Sequence, residues 1–223
     1  YSIWLATVVV SGISYLSYLL KRYVFHESGT LVSGIIGGLY SSTATISVLA
    51  RKSRKASEQE ATDYVAAMLL AVSMMFLRFM ILILIFSREI FLSIYPYLLT
   101  MAVVAAIVAL FIHSRQKRTE DQSAETEEDD SSNPLEFKVA LIFAVLFVIF
   151  TFLTHYTLVY AGTGGLNLLS FVSGFSDITP FILNLLQNTG SVAALIITAC
   201  SMQAIISNIM VNMFYALFFA GKG

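Results

Sequence analysis

Residues 61–86 read ATDYVAAMLLAVSMMFLRFMILILIF, and within that run only Asp63 and Arg78 carry charge. A bilayer core of ~30 Å needs ~20 apolar residues in a helix that rises ~1.5 Å per residue. Ala61–Phe86 is long and apolar enough to cross. Four further runs meet the same test: Ile3–Val24, Ile90–Ile112, Phe137–Tyr160 and Ser191–Phe219. Two more segments, Thr30–Ala50 and Gly165–Leu186, are long enough but interrupted by Gly, Ser, Thr, Asn, Asp or Pro. The fold expected is all-α, a polytopic helical membrane bundle of about seven segments.

Composition agrees. Of 223 residues, 57% are hydrophobic and 12% charged, with a mean hydropathy of +0.80. A soluble domain carries roughly 25% charged residues. Seven of the 14 carboxylates are packed between Glu120 and Asp130, so the rest of the chain cannot clothe a water-facing surface. A formal net charge of −1 argues against nucleic acid, which would leave a basic face. The single cysteine, Cys200, excludes an intrachain disulfide and a paired-cysteine metal site, and reads as a small core residue. The chain starts at Tyr1 rather than Met and is expected to be a piece of a longer one. Lys21 and Arg22 follow the opening apolar run instead of preceding it, which is not the pattern of a signal peptide.

Between Ile90–Ile112 and Phe137–Tyr160 lies HSRQKRTEDQSAETEEDDSSNP, His113–Pro134. It has no large apolar side chain to offset its ordering entropy, so it reads as a disordered, solvated linker or as an acidic partner-binding tail. The organisation expected is a first membrane repeat plus a connecting helix over 1–113, the linker over 114–134, and a second membrane repeat over 135–223.

Lys and Arg in short loops resist translocation and set orientation. If all seven segments span, the counts are eight (Arg51 to Lys55, Arg115 to Arg118, Lys138) against four; if the weak segments are re-entrant, eleven against one. Either way the acidic linker is cytoplasmic. The side of the termini stays open.

The two weak segments resemble each other. Leu31-Val-Ser-Gly34 can be set against Phe171-Val-Ser-Gly174, and Gly38-Leu-Tyr-Ser-Ser-Thr-Ala-Thr45 against Gly174-Phe-Ser-Asp-Ile-Thr-Pro-Phe181. In the second alignment Gly38 meets Gly174, Ser41 meets Asp177 and Thr43 meets Thr179. With seven spans the copies are parallel, and with re-entrant segments they are inverted; a repeat with an interrupted polar centre points to a transporter's substrate site in either case. Both segments are expected to be broken or re-entrant, around Ser41–Thr43 and Asp177–Pro180, and to face each other near a pseudo-symmetry axis. Pro180 is read as the cause of the second break, because its ring and missing N–H disrupt the preceding turn.

Arg78 and Asp177 are the strongly ionisable side chains expected at midplane depth. An intramembrane charge costs ~2.5 kcal/mol or more and usually faces a cavity or a partner. They are expected to share one polar cavity with Ser41, Thr43, Thr179 and Asn208 nearby, either as a packing pair or as part of a solute path. The expected path residues are Ser41, Ser42, Thr43, Arg78, Asp177, Thr179, Gln203 and Asn208, with Asp177 as the metal ligand. The competing account of the hydroxyls is back-bonding to their own helix, and that of Gln203, Ser207, Asn208 and Asn212 is interhelical hydrogen bonding. Gly34-x-x-x-Gly38 permits close helix approach, and a homodimer is among the expected partners. His26 and His155 lie near segment ends, where an interfacial role is expected. No GxSxG, HExxH or paired-carboxylate motif occurs, so no enzyme and no cofactor is expected.

Gly34-Ile-Ile-Gly-Gly-Leu-Tyr-Ser-Ser-Thr-Ala-Thr45, Leu49-Ala-Arg51, Met75-Phe-Leu-Arg78, Gly174-Phe-Ser-Asp-Ile-Thr179 and Ser207-Asn208 occur in this order. Together they resemble the bacterial membrane domain of unknown function (number 4010) that follows MgtC/SapB-like regions. The resemblance implies a multi-pass protein of the bacterial inner membrane that transports an ion such as magnesium. Neutral oxygens with one carboxylate suit a hard divalent cation that keeps some of its water. An anion route past Arg78 is the rival within that class. A non-transporting membrane scaffold or regulatory subunit is the alternative outside it.

Overall fold

The computed structural model describes residues 8–10, 12, 15, 29–115, 137–187 and 192–220. Among these the ordered elements are helices: α1 Thr30–Ser53, α2 Glu58–Phe86, α3 Arg88–Arg115, α4 Phe137–Ser173, α5 Ile178–Gln187 and α6 Ala194–Ala220. Five long apolar stretches could cross a membrane: Thr30–Ser53, Glu60–Phe86, Arg88–Arg115, Val145–Ser173 and Ala194–Ala220. The protein is therefore an all-α, multi-pass membrane protein. Ile3–Val24 and residues 116–134 of the acidic linker lie largely or wholly outside the described residues.

The described residues fall into two compact units, one with 79–97 and 137–211 and the other with 29–78, 98–115 and 212–220, each within the residues described above. In the second unit α2 starts at a capping box, in which the Glu60 carboxylate accepts from the Ser57 N–H at 2.9 Å and from its hydroxyl at 3.0 Å. Residues of α2 and α3 then pair in antiparallel fashion. Ser73 Oγ donates to the Ala102 carbonyl at 2.8 Å, and His113 Nδ1 meets Asp63 Oδ1 at 2.8 Å. Both pairs are centred on the link between the two helices, as a tight helical hairpin requires. α3 runs on through His113–Arg115. The outer side of α3 shows Val103, Val104, Ile107, Leu110 and Phe111, each more than 45% exposed, which is what lipid contact demands.

A small-residue core joins α1 to α2: Ile46, Leu49 and Ala50 pack with Ala67, Met68 and Ala71, with Ala216 and Phe219 of α6 against them. Arg51 closes one end with its guanidinium 4.4 Å from the centre of the Phe219 ring.

In the first unit the expected boundary between Tyr160 and Gly165 takes a particular form. α4 runs on from Phe137 to Ser173 but is broken at Gly162, where φ is +58° and ψ −149°. That conformation is closed to residues with a Cβ, so the glycine fixes where the helix changes direction. α5 packs back on α4, with Phe181 against Phe150 (centroids 5.5 Å apart) and Asn184 Nδ2 donating to Thr151 Oγ1 at 2.8 Å.

Candidate functional site

Both weak segments are broken, the first at Ser41 as expected and the second over Gly174–Asp177, just before the stretch expected. α1 loses helical geometry at Ser41, with φ −156° and ψ 104°. The break leaves two half-helices, each with unsatisfied backbone groups at the new ends. Ser41 Oγ accepts from the Ala44 N–H at 3.3 Å, the position of an N-cap for the second half. The halves fold toward one face. A Cβ on Gly37 would lie 2.5 Å from Thr45 Oγ1, although residues eight apart in a straight helix are separated by ~12 Å along the axis.

The second break lies between α4 and α5. Ser173 ends α4, three successive i→i+3 bonds (Gly174 to Phe171, Phe175 to Val172, Ser176 to Ser173) tighten the chain, and α5 begins at Ile178. Asp177 is its N-cap: Oδ1 accepts from the Thr179 N–H at 3.0 Å. Pro180 therefore does not cause the break. It occupies the first turn of α5, where a missing N–H costs nothing, and the chain has already turned at Gly174–Asp177.

The two breaks share one register. A shift of 136 residues carries Ser41 onto Asp177, both N-caps, and Gly38 onto Gly174. It also carries the start of α2 at Glu58 onto the start of α6 at Ala194. Buried Gly34, Gly38, Ser42, Ile46, Leu49 and Ala50 map onto buried Ser170, Gly174, Ile178, Ile182, Leu185 and Leu186. A Cβ on Gly38 would fall 2.5 Å from the Ala71 Cα, and one on Gly174 would strike Ser207, which is Ala71 shifted by the same 136. Gly34 likewise sits against the Ala67 backbone. The Gly34-x-x-x-Gly38 motif, read as permitting close helix approach, is used for contact inside one chain.

The carbonyl ends of the first halves are met by the following long helix. In the second unit Arg78 Nη1 donates to the Tyr40 carbonyl at 2.8 Å. In the first, Ser207 Oγ donates to the Phe171 carbonyl at 2.7 Å and Asn208 Nδ2 to that of Gly174 at 3.1 Å. The interhelical account of Ser207 and Asn208 is thereby realised.

Arg78 and Asp177 belong to different units. Each charge has a local counterpart: Arg78 sits on the carbonyl end of a half-helix, where the dipole is negative, and Asp177 on an amide end, where it is positive. Asp177 is exposed, Arg78 and Gln203 are partly buried, and Ser42, Thr179 and Asn208 are buried. Thr43 also serves its own helix, its carbonyl accepting from Ser47 Oγ at 2.8 Å. No cluster of three or more His, Cys, Asp or Glu is present among the described residues.

Several polar contacts were not anticipated. Asn184 reaches Thr151, and Cys200 Sγ lies 3.4 Å from Asn167 Oδ1. The Tyr40 carbonyl leaves no side-chain signal in a sequence. The Ala161-Gly-Thr-Gly-Gly165 run, by contrast, was a visible sign of the kink at Gly162.

A protein of Aquifex aeolicus (strain VF5) described as "Uncharacterized protein" is 24% identical over 201 residues, covering 89% of this chain and 86% of that protein. No solved structure matches the chain. The family described as "Domain of unknown function (DUF4010)" matches residues 8–220. With nearly its whole length matched, the chain belongs to the DUF4010 family.

Proposed function

We propose that this protein is an integral membrane transporter or channel for a small inorganic ion, with a divalent cation such as magnesium favoured. The observation that carries the reading is the pair of capped helix breaks in one register, the arrangement transporters use to present backbone and short polar side chains to an ion. Broken backbone at membrane depth is tolerated where it is buried in protein or lines a wet cavity. In one unit Ser41, Ser42, Thr43 and Arg78 surround the break; in the other Asp177 and Thr179 lie at it, with Gln203 and Asn208 on α6. Asp177 is the ligand favoured for a cation, because its carboxylate is exposed and spends one oxygen on its cap. The MgtC/SapB-like association and the bacterial inner membrane enter this reading through the resemblance. The cytoplasmic acidic linker enters through the distribution of Lys and Arg.

The test is ion flux into liposomes that contain the purified chain, run across divalent and monovalent cations and chloride. Cation flux is expected, and Asp177→Ser should abolish it while leaving a folded protein, since serine also caps helices. Flux of no ion, or full cation flux in Asp177→Ser, would overturn the reading.

A second reading, a non-transporting scaffold or regulatory subunit, is favoured by one observation. Ser41, Arg78, Asp177, Ser207 and Asn208 all hydrogen-bond to the protein's own backbone. Wild-type liposomes without flux would select it.

A further inference from the structure

In an unbroken α1 the Tyr40 carbonyl would accept from the Ala44 N–H; at the break that N–H turns to Ser41 Oγ, and the released carbonyl is taken by Arg78 Nη1 at 2.8 Å. We propose that Arg78 is a positioning residue, a latch that holds α1 open at Ser41 and presents the Ser41–Thr43 turn without itself touching the ion. The inference rests on the ion-transport reading and assigns one of its residues a role.

Three observations converge. Arg78 follows Ala67 and Ala71 on α2 at helical spacing, and those two alanines seat Gly34 and Gly38 in the first half of α1. The stripe that docks the first half-helix thus also carries the group that terminates it. The dipole argument accounts for the charge. A guanidinium on the carbonyl end of a half-helix is stabilised there by the negative end of the dipole. In the other unit the long helix after the break also donates to backbone carbonyls beside it, Ser207 to Phe171 and Asn208 to Gly174, with neutral donors and from other positions of the register than Arg78. The positive charge is particular to the Arg78 contact.

The experiment compares Arg78→Gln, which keeps a donor without charge, with Arg78→Lys and Arg78→Met, all in the full chain. Amide hydrogen exchange over residues 39–46 is measured by mass spectrometry, and cation-over-anion selectivity in liposomes. In Arg78→Met the exchange of that segment should rise about tenfold, as loss of one hydrogen bond to a charged donor predicts, with exchange over 194–211 unchanged. Arg78→Gln and Arg78→Lys should recover part of the protection, and any change in ion selectivity among the three variants should follow their loss of protection over 39–46. Unchanged exchange over 39–46 in Arg78→Met would overturn the latch, as would altered selectivity with intact protection in Arg78→Gln. If Arg78→Met does not fold, the other two variants carry both measurements. Absence of flux in wild type would defeat the transport reading and leave the exchange result to decide the latch.

Discussion

Gly38 of α1 lies against Ala71 of α2 so closely that an added Cβ would stand 2.5 Å from the Ala71 Cα and 2.6 Å from its carbonyl oxygen. The obstacle is backbone, which cannot swing aside as a side chain would. Helices in lipid gain little from hydrophobic contrast and associate through such close backbone approach.

Gly38→Ala should therefore destabilise the protein by about 1–3 kcal/mol, the range for overpacking, and Gly38→Leu by more. Thermal unfolding in detergent reads it. An unchanged midpoint in Gly38→Leu would mean that α1 and α2 do not pack at Gly38.

Gly162 makes the opposite use of a missing side chain. Its φ of +58° with ψ −149° is a backbone state, with nothing within 4 Å of an added Cβ. Gly162→Ala should cost about 1–3 kcal/mol through strain alone. Gly164, in contrast, is helical and has open space around it, so Gly164→Ala should be neutral or stabilising by up to about 1 kcal/mol. Equal effects of the two substitutions would remove the kink at Gly162 from the account of α4.

The two N-caps should be interchangeable for stability but not for function. Ser41→Ala and Asp177→Ala should each cost about 1 kcal/mol of unfolding free energy, whereas Ser41→Asn and Asp177→Ser should cost a few tenths. Cation flux should follow the carboxylate, lost in both Asp177 variants and kept in Ser41→Ala. Flux that tracks stability instead would make Asp177 a cap alone.

Asn184 and Thr151 form a polar bridge between α5 and α4 at 2.8 Å. A double-mutant cycle of Asn184→Leu and Thr151→Val should give a coupling of about 0.6 kcal/mol, the average for hydrogen bonds between membrane helices. A coupling of zero would show that Phe150 and Phe181 hold α5 unaided.

The sequence by itself determined the membrane class, the helical architecture and that the chain is interrupted near Ser41 and near Asp177. Each rests on local chemistry: apolar length for spanning, and glycine and short polar residues for interruption. It misjudged Pro180, because proline disrupts a helix interior and suits a first turn, and which of these applies depends on where Asp177 starts the helix. Only the tertiary structure decided what Arg78 touches. Its partner is the backbone carbonyl of Tyr40, which every residue possesses and no sequence pattern marks; that carbonyl became available when α1 broke at Ser41 and when Gly34 and Gly38 let α2 come close enough to reach it.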